Sequence, residues 1–129
     1  MDSKRHLIRT DQAPAPVGVY SQGAVGNAMI FTAGQIPIDP VTGAWLNDSI
    51  ETAARQVLKN VIAVVEAGGG SVDTILKLTV FLKDMKDFAA VNRIFTEFFP
   101  GDAPARSAVE VAALPKDALL EIEAVALRL

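Results

Sequence analysis

Three charged residues lie inside apolar stretches that read as β-strands, where a charge needs a reason. Arg106 sits in Pro104-Ala105-Arg106-Ser107-Ala108-Val109-Glu110-Val111 and shares a strand face with Ala108 and Glu110. Glu121 and Glu123 share a face within Leu119-Leu120-Glu121-Ile122-Glu123-Ala124-Val125-Ala126-Leu127. An arginine keeps its charge at any working pH and offers a planar fork that suits a carboxylate. A glutamate held nearby can accept from a water and orient it for attack. The competing reading is a structural Arg–Glu pair, or charges on a solvated strand, because ion-pair networks imitate sites. Spacing leaves both open. In a tight hairpin about Pro115, Arg106 would face residues near Val125, with Glu121 about four residues along, roughly 13 Å away. The two strands are therefore not direct neighbours, or the two residues meet otherwise than as a hairpin pair.

The elements that must hold these residues follow from periodicity. Strands are expected at residues 5–9, 19–25 and 28–33, the last two joined at Gly26-Asn27, a pair that tolerates positive φ. Asp39-Pro40-Val41-Thr42-Gly43, closed by Trp45, is dense in turn formers and reads as a structured loop. Ile50, Ala54, Val57, Leu58, Val61 and Val65 form one stripe of an amphipathic helix over Ile50–Ala67. Asp48 or Ser49 can cap its start, and Gly68-Gly69-Gly70 stops it. That glycine run follows a helix and lacks the Gly-Lys-Ser/Thr of a phosphate cradle, so it is read as a cap. Leu76, Leu78, Val80 and Leu82 alternate with Lys77, Thr79, Phe81 and Lys83 as a strand. Phe88, Val91, Phe95, Phe98 and Phe99 mark a second helix whose aromatic stripe reads as core. Final strands are expected at 105–113 and 119–127.

The order is strand, strand, strand, helix, strand, helix, strand, strand. An α/β two-layer sandwich follows, with both helices on one sheet face. No third helix exists to cover the other face, which points to self-association, with Thr79, Phe81, Ser107 and Val109 suited to such a contact.

Composition removes whole classes of function. The chain has 129 residues, 50% of them hydrophobic, with 12 basic and 15 acidic side chains, one histidine and no cysteine. That length suits one domain spanning 1–129. Disulfides, Cys-ligated metals and thiol catalysis are excluded, and His6 alone makes multi-histidine metal sites and Ser/His chemistry poor options. A net charge of −3 argues against a general nucleic-acid surface. The longest apolar runs, such as residues 61–65, fall far short of the ~20 residues of a membrane span. Met1-Asp2-Ser3-Lys4-Arg5-His6 lacks the apolar stretch of a secretory signal, so a cytoplasmic location is expected.

Taken in order, several segments resemble the RidA/YjgF family of reactive intermediate (imine) deaminases over almost the entire chain. They include Gly18-Val19-Tyr20-Ser21-Gln22-Gly23 and Phe31-Thr32-Ala33-Gly34-Gln35-Ile36-Pro37. Val80-Phe81-Leu82-Lys83-Asp84-Met85, Val91-Asn92, Pro104-Ala105-Arg106-Ser107, Leu114-Pro115-Lys116-Asp117 and Ile122-Glu123-Ala124 complete the set. The resemblance implies a mixed six-stranded sheet with two helices on one face, like the Bacillus type of chorismate mutase. It places the last strand between the third and fourth, and the Arg106 strand outside the fourth. It further implies a homotrimer with sites between subunits.

The implied substrates are short 2-imino or enamine acids, such as 2-aminoacrylate and 2-iminobutyrate, hydrolysed to 2-keto acids and ammonia without a cofactor or metal. By the same resemblance, Arg106 binds the substrate carboxylate, and Glu121 holds the attacking water together with the Ala108 carbonyl. Tyr20 comes from a neighbouring subunit, while Gly34, Ala33 and Asn92 line the cleft. Two positions depart from the common pattern: Ala108 replaces a cysteine and Ala33 a hydroxyl residue. Two rivals remain: a non-catalytic ligand-binding or chaperone-like trimer, and an endoribonuclease, since some relatives have been described as ribonucleases. The chain's one tyrosine, one tryptophan and negative charge equip it poorly for the latter.

Overall fold

Alternating burial along the strands decides which side chains face the helices and which stay open. In the computed structural model, which describes residues 4–129, the elements follow the expected order. They are β1 (His6–Ile8), β2 (Gly23–Gly26), β3 (Met29–Thr32), α1 (Ile50–Ala67), β4 (Ile75–Leu82), α2 (Phe88–Phe98), β5 (Ala105–Glu110) and β6 (Leu120–Leu127). Met1, Asp2 and Ser3, the start of the segment read above for a secretory signal, lie outside the described residues.

The six strands form one mixed sheet in the order β1-β2-β3-β6-β4-β5, with β4 and β5 parallel and every other pair antiparallel. The last strand thus enters the middle, between β3 and β4, and β5 lies outside β4 as an edge. This removes the hairpin difficulty, because β5 and β6 never pair. Ile30, Leu78, Val80, Leu120, Ile122 and Ala126 are fully buried on the helix side, against Ala53, Val57, Leu58, Val61 and Val64 of α1. The opposite face carries Leu7, Phe31, Phe81, Val109 and Leu127 with no layer over it among the described residues, and Phe31 and Val109 are 50% and 44% exposed. Thr79 and Ser107 share that face. Among the described residues, no helix is long and apolar enough to cross a membrane.

Local chemistry sets the boundaries. Ser49 caps α1 by accepting from the Thr52 amide at 3.2 Å, and Gly69, at φ +96°, turns the chain away after it. Several expected boundaries need correction. The strand expected at 19–25 begins only at Gly23, because residues 19–22 belong to a loop in which Val19 is fully exposed. The turn between β2 and β3 is Asn27-Ala28, since Gly26 still pairs with Met29 and Asn27 alone takes a positive φ, of 54°. The strand expected at 105–113 stops at Glu110, after which the Val111 amide makes a last bond to the Leu82 carbonyl. The first strand shortens to His6–Ile8, the reach of its pairing with β2. In β4 the register slips between Ile75 and Lys77, which leaves Leu76 an exposed extra residue in a bulge.

Candidate active site

Arg106 lies on the edge strand β5, opposite Leu78, and so points to the helix side of the sheet. Its guanidinium rests over two rings of α2, with Phe95 4.8 Å and Phe88 5.3 Å from it. Burial against these rings pushes its pKa below the ordinary arginine value. No carboxylate among the described residues pairs with it. The structural Arg–Glu pair considered from the sequence is therefore not formed. Arg106 and Asn92 line the same hollow of about 380 Å³. Ala108 lies on the same face, two residues along. Since the Val111 amide points to β4, alternation turns the backbone groups of Ala108 and Arg106 outward along the free edge. The Ala108 carbonyl is thus open to a ligand whether residue 108 is cysteine or alanine.

Glu121 lies elsewhere. It pairs with Phe81 on β4 and projects from the open face of the sheet, half-buried. Burial, with the nearby charge of Glu123, raises its pKa above the ordinary carboxylate value. Gly34 lies against this carboxyl group, and a Cβ there would come within 2.8 Å of Glu121 Cδ. A side chain at position 34 would displace the Glu121 carboxyl from this position. The main chain reaches this place through a break in the β3–β6 ladder. Pairing runs to Phe31–Val125, the Thr32 hydroxyl then accepts from the Ala124 amide at 3.0 Å, and Gln35 resumes pairing with Ile122. Ala33 and Gly34 occupy the gap. Ala33 and Tyr20 line a second hollow of about 350 Å³ beside Phe31. The Tyr20 hydroxyl accepts from the Val17 amide at 3.1 Å.

The seven candidate residues therefore divide into two groups: Arg106, Ala108 and Asn92, and Glu121, Tyr20, Ala33 and Gly34. Phe81 is the register partner of both Glu121 and Val109, so Glu121 is two strands across and three residues along from Arg106. Strand geometry makes that roughly 14 Å between Cα atoms, with the side chains on opposite faces. Within one chain the two groups do not meet. A hollow of about 940 Å³ is an open dish on the 9–22 loop that contains Tyr20 but neither Arg106 nor Glu121. Among the described residues no His, Cys, Asp and Glu side chains gather to hold a metal. Sequence reasoning missed Phe88 and Phe95 as neighbours of the arginine, and Thr32 as the residue that bridges the ladder gap. The aromatic stripe was visible, but it points equally well to core packing.

A single mixed sheet with two helices on one face, and two separate groups of candidate residues, make this a small α+β protein. The sequence profile of the endoribonuclease L-PSP family matches residues 10–128, and the chain belongs to this family, also known as RidA/YjgF. It is 52% identical over 124 residues to the 2-iminobutanoate/2-iminopropanoate deaminase of Escherichia coli, across 94% of this chain and 96% of that protein. It is 50% identical over 122 residues to a RutC family protein of Pyrococcus horikoshii, across 95% and 97% of the two chains. The solved structure of Escherichia coli TdcF with bound serine is 46% identical and superposes with a TM-score of 0.91, covering 96% of this chain and 99% of that one.

Proposed function

We propose that this chain hydrolyses short 2-imino and enamine acids, such as 2-aminoacrylate and 2-iminobutyrate, to 2-keto acids and ammonia. It acts as a cytoplasmic homotrimer of single-domain chains, in metabolite damage control, with each site shared by two subunits. The observation that carries this reading is Arg106, a half-buried cation with no carboxylate partner among the described residues, beside Asn92 at an open edge. Its counterpart Glu121 lies on the opposite sheet face, so a neighbour in a closed ring can bring the Tyr20, Ala33, Gly34 and Glu121 group to it. The deaminase name of a relative 52% identical supports the same chemistry.

In this mechanism Arg106 takes the substrate carboxylate bidentately and fixes the imine carbon in place. Glu121 and the Ala108 carbonyl hold a water against that carbon. As the water oxygen bonds to carbon, the C=N π pair moves to nitrogen and Glu121 accepts a water proton. Glu121 returns that proton to nitrogen, which gives a carbinolamine. It then moves the hydroxyl proton to nitrogen as well, so that the oxygen pair forms C=O while the C–N bond breaks, releasing ammonia and the keto acid. A raised carboxyl pKa makes Glu121 a better base than an ordinary glutamate. Tyr20 walls the cleft and offers its hydroxyl. An imine is already electrophilic, so no cofactor is required. The ribonuclease sense of the family description suits this chain less well, given its net charge of −3.

The test is keto-acid production beside an active threonine dehydratase, which supplies the imine. The wild-type chain should accelerate hydrolysis. Arg106→Ala should lower kcat/KM by roughly 100-fold, and Glu121→Gln should lower kcat by a similar factor of about 100. Keto-acid formation that is no faster with the wild-type chain than without it would refute the assignment.

A further inference from the structure

Gln22 is a buried amide, 4% exposed, that stands between Tyr20 and the start of β2. Its Oε1 accepts from the Thr10 amide at 2.7 Å. Its Nε2 donates to the carbonyls of Thr10 at 2.9 Å, Ala13 at 3.1 Å and Pro14 at 2.9 Å, so two N–H bonds are shared among three acceptors. Its own carbonyl accepts from the Ala33 amide at 2.8 Å. The loop it serves, residues 9–22, contains no helix or strand and includes Pro14 and Pro16, which have no backbone donor to give. Backbone groups there have no ladder to join, and one side chain supplies the partners instead.

We propose that Gln22 is the positioning residue of the Tyr20 half of the site, fixing the loop that carries Tyr20 relative to the β3 exit that carries Ala33 and Gly34. The side chain does not reach the ligand; it acts through the backbone at both ends. A carboxylate of the same shape would present oxygens to three carbonyl oxygens and could not hold them. The loop would then leave the sheet, and Tyr20 with it, while the core under α1 stayed packed. This inference rests on the functional reading above, in which Tyr20 lines the substrate cleft.

The chain's one tyrosine makes the test direct. The Tyr20 ring signals in NMR spectra and the kinetic constants are compared for the intact wild type, Gln22→Glu and Gln22→Met. The expected result is a folded sheet, Tyr20 signals averaged toward those of a free tyrosine, and KM raised about 10-fold with kcat within about threefold. Wild-type Tyr20 signals and KM in a folded variant would overturn the proposal. So would a loss of activity that only follows the unfolded fraction at unchanged KM. If neither variant folds, hydrogen exchange in the wild type decides. A Thr10 amide protected as long as the β2 amides supports the proposal, and one exchanging at the free-chain rate overturns it. The ring signals and exchange rates need no turnover, so a chain inactive on imines would refute the functional reading while leaving the placement of Tyr20 by Gln22 separately decided.

Discussion

Glu121 links the chemistry to pH. Its pKa is raised, first by burial and then by the charge of Glu123, so folding favours its neutral form. The stability it contributes is present below the ordinary value of 4.5 and is lost as pH rises through the higher folded value. Glu121→Gln should therefore raise the thermal midpoint at neutral pH and leave it unchanged in acid below 4.5; a lower midpoint at neutral pH would contradict this. The catalytic consequence has the opposite direction. If the carboxylate is the base, activity falls as acid protonates it, with the acid limb centred above 4.5, and Glu123→Gln should move that limb downward. Arg106 shows how much was legible at this scale. Its charge inside an apolar strand marked it out from spacing, but its setting did not. Phe88 is part of an aromatic stripe that reads as core, yet it is exposed at the surface and lies over the guanidinium, while Phe95 serves the core and the arginine together.

At the scale of elements, the loop joining β5 to β6 is held against its own backbone preference. Lys116 and Asp117 both adopt positive φ, at 55° and 57°, where side chains are ordinarily disfavoured. Asn47 bridges this segment, accepting from the Leu119 amide at 2.9 Å and donating to the Asp117 carbonyl at 3.3 Å. Lys83 adds an ion pair with Asp117 at 2.9 Å. Because that pair is exposed it contributes little, whereas a part-buried amide without a partner is costly. Asn47→Ala should lower unfolding stability by about 1–2 kcal/mol in urea titration, and Asn47→Asp, which keeps the acceptor, by less. Indistinguishable midpoints for wild type and Asn47→Ala would show that the bridge is incidental. The helices and β4 from Lys77 onward were readable because long amphipathic stripes and strict alternation are strong local signals, whereas the bulge that exposes Leu76 broke that alternation. The edges of β1, β2 and β5 were not, because each ends where its partner strand ends, and pairing across the chain leaves no mark on local sequence. Gln22, just before β2, likewise finds its partners 8 to 12 residues away.

For the whole molecule, the uncovered sheet face is the feature that a single chain leaves unfinished. Leu7, Phe31, Val109 and Leu127 lie there together, exposed, while every other large surface of the sheet is packed under helices. In the proposed trimer this face is an interface between subunits, so Phe31→Glu should give monomers in sedimentation velocity. The same change should abolish imine hydrolysis even though it touches neither Arg106 nor Glu121. A fully active monomer would contradict the shared site. Sequence alone suggested that one face lacked a cover, but the insertion of β6 came only from the family resemblance, since no local pattern specifies which strand lies beside which.

That insertion also orders events in time. Strands β1 to β3 form one antiparallel block and β4 with β5 another, and β6 is bonded to both. Until β6 has been synthesised, each block exposes a long edge able to pair with another chain. Folding must therefore await distant contacts, which are slow to form. The nascent protein is thus most prone to aggregate just before its central strand arrives, and a single late event both closes the sheet and ends that exposure.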